Sequence, residues 1–189
     1  MDAIRILKDD HRRAEKLFVR FEKTGPRSKS AKANIVARMI KELSIHTAIE
    51  EEVFYPAIRL GVPKASDYVL DSLEEHHLVK WLLAELDGMT PDDERFDAKV
   101  RVLISNVRYH VGEEESELFP EARTALGHAQ LNELGERLTA AKKTAPTHPH
   151  PRLPDRPLSN LVGGTVAGAV DRARDLGKQV VAEAKHAVG

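Results

Sequence analysis

The chain has 189 residues, 41% of them hydrophobic and 31% charged, with a formal net charge of −1. That is enough for one ordinary domain plus an appendage, and it sets up no global field that would select nucleic acid or an acidic membrane. The absence of cysteine excludes disulfides, thiolate catalysis, zinc ribbons and iron–sulfur clusters together, so any metal must be held by nitrogen and oxygen.

The N-terminus, MDAIRILKDDH, lacks an apolar signal-like core, and nowhere do 18 apolar residues run together. The expectation is a cytoplasmic protein without a membrane span. Four segments then carry helical periodicity, and each places a histidine on its apolar stripe. The first runs Ile4, Leu7, His11, Ala14, Phe18, Phe21, and the second Val36, Met39, Leu43, His46, Glu50, Val53. The third is Leu73, His76, Val79, Leu83, Leu86, opened by Ser66 as expected N-cap. The fourth is Val100, Leu103, Val107, His110, Glu114, Leu118, with Thr90 expected as its N-cap and Pro91 in its first turn.

Breaks at Thr24-Gly25-Pro26, Gly61-Val62-Pro63 and Gly88-Met89-Thr90-Pro91 separate these helices. Short connections imply antiparallel neighbours, hence an all-α, up-down-up-down four-helix bundle over residues 1–127. Pro56 and Pro120 stand at equivalent points and should kink or loosen the last turns of helices two and four. A shorter stretch, Leu131, Leu134, Leu138, Ala141, reads as an accessory helix within 128–144. Residues 145–157 hold five of the ten prolines and read as a polyproline-like linker. From 158 to 189 a weakly amphipathic tail is expected, its stripe Val162, Val166, Ala169, Ala173, Leu176, Val180, with small residues suited to close packing.

One segment is written twice. His46-Thr47-Ala48-Ile49-Glu50-Glu51-Glu52-Val53-Phe54-Tyr55-Pro56 returns as His110-Val111-Gly112-Glu113-Glu114-Glu115-Ser116-Glu117-Leu118-Phe119-Pro120, and His11 and His76 precede the two copies at nearly equal distances. A His and a Glu four residues apart share one helix face. Two such faces plus two more histidines supply four imidazoles and two carboxylates, enough for a pair of metal ions. A lone inward histidine or a run such as Glu50-Glu51-Glu52 is ordinarily a core hydrogen-bonding group or a solvated face. Here six seam positions would have to be ordinary at once, and unpaired buried carboxylates cost several kcal/mol. No HExxH occurs, and the repeated HxxxE reverses the ExxH order of ferritin-like di-iron bundles. Imidazole with carboxylate suits iron first, then manganese or zinc.

The segments DDHRRAEKLF, HTAIEEEVFYP, EEHHLVKWLLAEL and HVGEEESELFP resemble those of the hemerythrin-like HHE cation-binding proteins, of an actinobacterial type, over roughly residues 1–127. The resemblance implies a non-haem di-iron centre. Carried over by position, its ligands would be His11, His46, Glu50, His76, His110 and Glu114, with both glutamates bridging two Fe ions. The oxygen-carrying members have a further histidine one turn along the third helix, where this chain has Lys80. Adjacent His77 points about 100° away from His76 and is expected outside the centre, with a swap between the two left open. Tyr55, opposite Phe119 in the second copy, is the candidate catalytic side chain, as a phenolate on ferric iron; packing alone is its plainer role. Glu51 and Glu115 are assigned to ligand imidazoles or to solvent.

The expected function is handling of small oxidants (hydrogen peroxide, oxygen or nitric oxide), with catalase-like disproportionation associated with relatives of this type. The alternatives are an iron or oxygen sensor signalling through the tail, or iron storage. The expected partner is a small molecule rather than nucleic acid, and a protein partner for the tail is left open.

Overall fold

A computed structural model describes residues 1–152 and 167–176. They are helical, with no strand among the described residues, and run as α1 (Ala3–Glu22), α2 (Lys29–Ile49), α3 (Tyr55–Gly61), α4 (Ser66–Asp87), α5 (Phe96–Glu113), α6 (Phe119–Ala141) and α7 (residues 167–176). The long segments form the expected antiparallel bundle. Among the described residues no helix is long and apolar enough to cross a membrane.

Helix boundaries follow local chemistry. Asp2 caps α1, its carboxylate accepting from the Arg5 N–H at 2.9 Å. At α4 the expected cap fails: Ser66 is the first helical residue, Ala65 takes the cap position, and a 3₁₀ turn at Pro63–Ala65 leads in. At α5 the helix begins at Phe96 rather than after Thr90. The Asp93 carboxylate accepts from both the Thr90 N–H (2.6 Å) and its hydroxyl (3.1 Å), closing a separate turn first.

The two prolines loosen the winding as expected, but upstream of themselves and without ending the helix. π turns at Glu50–Phe54 and Glu114–Leu118 join α2 to α3 and α5 to α6, so each proline is the second residue of the helix that follows. A wider turn relieves the clash between a proline ring and the carbonyl four residues back. Later, α6 breaks at Gly127, where φ of 67° and ψ of 177° demand glycine. Beyond the break, residues 128–141 return along α1, and a Cβ on Gly135 would collide with the Met1 carbonyl. Leu131, Leu134 and Leu138 are buried there with Ala3, Ile4 and Leu7.

The apolar core is split in two; α1, α2 and α4 contribute to both parts, and α5 reaches the first through the π turn that continues it into α6. One part holds Ile4, Leu7, Ile49, Val53, Phe54, Val69 and Leu118; the other holds Ala14, Phe18, Met39, Leu43, Val79, Leu83, Leu103 and Val107. Between them, on four helices at one level, lie His11, His46, Glu50, His76, His110 and Glu114, all buried.

Around α7 the described part of the tail's apolar stripe lies at the surface. Ala169, Ala173 and Leu176 are exposed, whereas Asp171 is buried. Its carboxylate accepts from the backbone N–H groups of Thr147 and His148, both at 3.0 Å. Polar contacts dock this segment, and Gly168 lies against the Thr144 carbonyl in the turn after α6. Val162, Val166 and Val180, with residues 153–157 of the expected linker, lie outside the described residues.

Candidate metal centre

Two clusters of ligand atoms form at this level, His11–His46–Glu50–Glu114 and Glu50–His76–His110, and Glu50 belongs to both. Its Oε2 lies 3.1 Å from His46 Nε2 and 3.4 Å from His76 Nε2. Glu114 Oε2 lies 3.3 Å from His11 Nε2 and 3.6 Å from His110 Nε2. Each glutamate therefore touches one histidine from either half of the duplicated chain. All six residues expected as ligands converge.

The outward ring nitrogens explain why the inward ones point as they do. His11 Nδ1–H donates to Glu115 at 2.9 Å, His76 Nδ1–H to Glu51 at 3.1 Å and His110 Nδ1–H to Glu75 at 2.8 Å, while His46 Nδ1 faces Asp10 at 3.7 Å. A carboxylate on Nδ1 fixes the tautomer, leaves the Nε2 lone pair inward and raises its basicity. These partners obey the duplication. The acid before the first histidine of each half (Asp10, Glu75) serves the second histidine of that half. The glutamate after each central one (Glu51, Glu115) serves the first histidine of the other half.

Glu51 and Glu115 thus match their sequence assignment, whereas Asp10 and Glu75 were missed. The signal was present, since each stands one position before a cluster histidine in both copies. Lys80 lies 3.0 Å from Glu51, and Lys8 pairs Glu115 at 3.0 Å. At the position where a fifth histidine is absent, a lysine instead compensates the acid that orients His76. His77 is not in the cluster; its Nε2 accepts from the Trp81 indole N–H at 3.1 Å.

Tyr55 enters the centre. Buried with its ring 5.4 Å from that of His76, it donates its hydroxyl to Glu114 Oε1 at 3.0 Å and lies 3.3 Å from His76 Nε2. Its counterpart Phe119 stacks on His11, centroids 5.7 Å apart. The π turn delivers it. Five residues of regular α-helix would rotate Tyr55 about 140° away from Glu50, whereas the i→i+5 bond of the π turn, here Tyr55 N–H to the Glu50 carbonyl, closes it back over that residue.

The donor set fits a cation on two grounds. First, His11 Nε2, His46 Nε2, both oxygens of Glu50 and Glu114 Oε2 are buried without a hydrogen-bond partner. His76 and His110 bring Nε2 atoms to 3.2 Å of each other with both Nδ1 positions facing carboxylates; burial lowers the His110 imidazole, but Glu114 and Glu75 outweigh it and raise it. A pocket so rich in acceptors is costly unless positive charge, a proton or a cation, fills it. Second, the charge states are frustrated. Burial, then the charge of Glu114 and Glu51, pushes the Glu50 carboxyl well above its usual range. Burial pushes the imidazoles of His46 and His76 well below theirs, toward the neutral form a metal requires. For Glu114 burial acts upward too, but His110 and His11 outweigh it and hold the group ionised. Burial, then Glu114 and Glu50, raises the Tyr55 phenol, which stays a donor. Just past the end of α6, Lys142 reaches Asp10 at 2.6 Å; burial and the charge of Arg13 nonetheless lower its ammonium to about 8.

The chain is similar in sequence or in fold to several known proteins. An uncharacterized hemerythrin-like protein of Schizosaccharomyces pombe is 28% identical over 141 residues, spanning 74% of this chain and 69% of that protein. A protein of Nostoc named DNA nickase is 28% identical over 137 residues, 72% of this chain but only 38% of its own length. A crystal structure of a hemerythrin HHE cation binding domain-containing protein from Mycobacterium kansasii shares the fold, with a TM-score of 0.64 at 23% identity over 76% of this chain and 86% of that one. Over residues 2–122, which include all six clustered residues and Tyr55, the sequence matches the hemerythrin HHE cation binding domain, and the chain belongs to that family.

Proposed function

We propose that the protein is a non-haem di-iron protein that handles hydrogen peroxide or another small oxidant. The observation that carries this reading is the pair of donor clusters sharing Glu50, with the Tyr55 hydroxyl lying beside the second. His11, His46, Glu50 and Glu114 would hold one ion. His76, His110 and Glu50, completed by Tyr55, would hold the other, with Glu50 and Glu114 bridging. Iron held this way would supply one-electron exchange and Lewis acidity to a small oxygen species.

The chain's own groups set the conditions for that chemistry. Glu51, Glu75 and Glu115 hold three of the imidazoles in one tautomer, and Asp10 stands 3.7 Å from the fourth, His46. The two flanking apolar clusters exclude water and lower the local dielectric, which strengthens every charge interaction between them. The Tyr55 hydroxyl donates to Glu114 at 3.0 Å; a cation beside it would favour loss of the phenol proton to solvent, leaving Glu114 ionised and the phenol an anionic oxygen donor. Such a donor stabilises ferric iron and favours oxidant turnover over reversible oxygen carriage.

Metal analysis with a visible absorption spectrum tests this reading, expecting about two irons per chain and a phenolate-to-iron band. Tyr55→Phe should abolish the band and slow peroxide loss while the fold persists, because Phe119 already packs at the equivalent site. One zinc per chain, or full colour in Tyr55→Phe, would overturn it.

A second reading, an iron or oxygen sensor signalling through the tail, is favoured by one contact: Glu51, which holds His76, also lines the void beneath residues 146–150. Metal-dependent protection of that segment from proteolysis would support it.

A further inference from the structure

The duplication relates two outer faces of the bundle as well as the metal ligands. The α2/α4 face bears Thr47, Ala48, Glu51 and Lys80; the α1/α5 face bears Val111, Gly112 and Glu115, with His11 at its base. Ala48 and Gly112 occupy the same place in the two copies, as do Glu51 and Glu115. If the halves were alike, each face would offer an equal way in.

They are not alike. Pro146, His148, Pro149 and His150 lie over the α2/α4 face and leave a void of only about 40 Å³. This strap is latched at several points. His148 stands between Asp175 (3.0 Å) and Asp87 (3.3 Å), His150 Nε2 lies 3.1 Å from Asp171, and Asp171 also accepts the two backbone N–H groups described above. Over the α1/α5 face no such cover lies among the described residues, and a cleft of about 330 Å³ opens between Ala14, Phe18, Val111 and Gly112. A Cβ on Gly112 would meet nothing within 4 Å. Beneath the cleft, sharing His11, Ala14 and Val111 with it, a second void of about 10 Å³ reaches His46, close to the size that holds one water-sized molecule.

We infer that access to the centre is one-sided: an uncharged small oxidant enters by the α1/α5 cleft beside Gly112 and passes His11, while the strap at residues 146–150 closes the symmetry-related face. The class of ligand follows from the walls. The cleft's charged groups, Arg12, Arg108, Glu15 and Glu115, sum to zero. Arg108 is moreover taken up by Glu15 and Glu22, at 2.7–3.1 Å. Nothing there concentrates anions, and the apolar floor admits a neutral molecule.

The inference rests on the di-iron reading for its destination, and its test separates the two. Because the chain has no cysteine, Gly112→Cys and Ala48→Cys each introduce a unique thiol. In the full-length protein the thiol at 112 should react with a phenylmaleimide at least tenfold faster than the thiol at 48. Adding Asp171→Asn and Asp175→Asn should release the strap and accelerate only the thiol at 48. In the iron-loaded, reduced protein, the label at 112 should slow nitric oxide association at least tenfold with iron content unchanged. Equal reactivity of the two thiols, or unchanged nitric oxide association after labelling at 112, would overturn one-sided access. Absence of an iron pair, measured first, would overturn the reading of the centre instead, and the thiol comparison needs no metal.

Discussion

At the scale of single residues, Glu50 carries the largest conflict. Its neutral form is favoured in the metal-free fold, whereas an unfolded glutamate loses its proton near pH 4.5. The folded state therefore binds more protons, and metal-free stability falls as pH rises above that value. His46 and His76 act on the other side. Their depressed values mean that the unfolded chain takes up protons first, so stability is level above about pH 6.5 and falls below it. Glu50→Gln should consequently stabilise the metal-free protein at pH 8, by about 2 kcal/mol, while removing most metal binding; melting curves with and without iron measure both signs. The same histidines should release metal as pH falls through about 6, followed by loss of colour on acid titration.

Single-residue logic also marks what was legible in the sequence. The six central positions, the inward stripe and the choice of His76 over His77 follow from α-periodicity and repetition. Asp10 and Glu75 escaped because the histidines they face lie on neighbouring helices, and no one-helix pattern displays a cross-helix contact.

At the scale of elements, the π turns matter most, and they were the least legible feature. Pro56 and Pro120 announced a disturbance but not its kind, since a kink and a widened turn share the same sequence cue. The distinction decides where Tyr55 points. Deleting Glu52, a residue of the first π turn, should let the segment close as regular α-helix with the phenol four residues past Glu50, about 40° from it and still over the centre. Helix content by circular dichroism and the phenolate band should both be kept. Loss of colour would show that the wide turn itself is needed to place the phenol. At α7 the weak apolar spacing gave no hint of what docks it: carboxylates at 171 and 175 meet backbone N–H groups and histidines of residues 147–150.

At the scale of the whole molecule, the fold is a helix pair written twice and then made unequal. The equal parts (four imidazoles, two central carboxylates and their four acidic partners) define a two-fold centre between two apolar clusters. Inequality enters at Tyr55 against Phe119, at Lys80 against Glu15, and at a strap that, among the described residues, covers one face only. The bundle could be deduced from periodicity and loop length. The strap could not, because proline content describes the stiffness of a segment and not the surface it meets.

The shared position of Glu50 has a consequence for how the protein would fill. The first ion to arrive must strip the Glu50 proton and draw both central carboxylates into place, and the second meets them already ionised and aligned. Occupancy should then be cooperative. A solution given half its full complement of iron would contain mainly empty and doubly loaded molecules, a distribution that native mass spectrometry resolves directly.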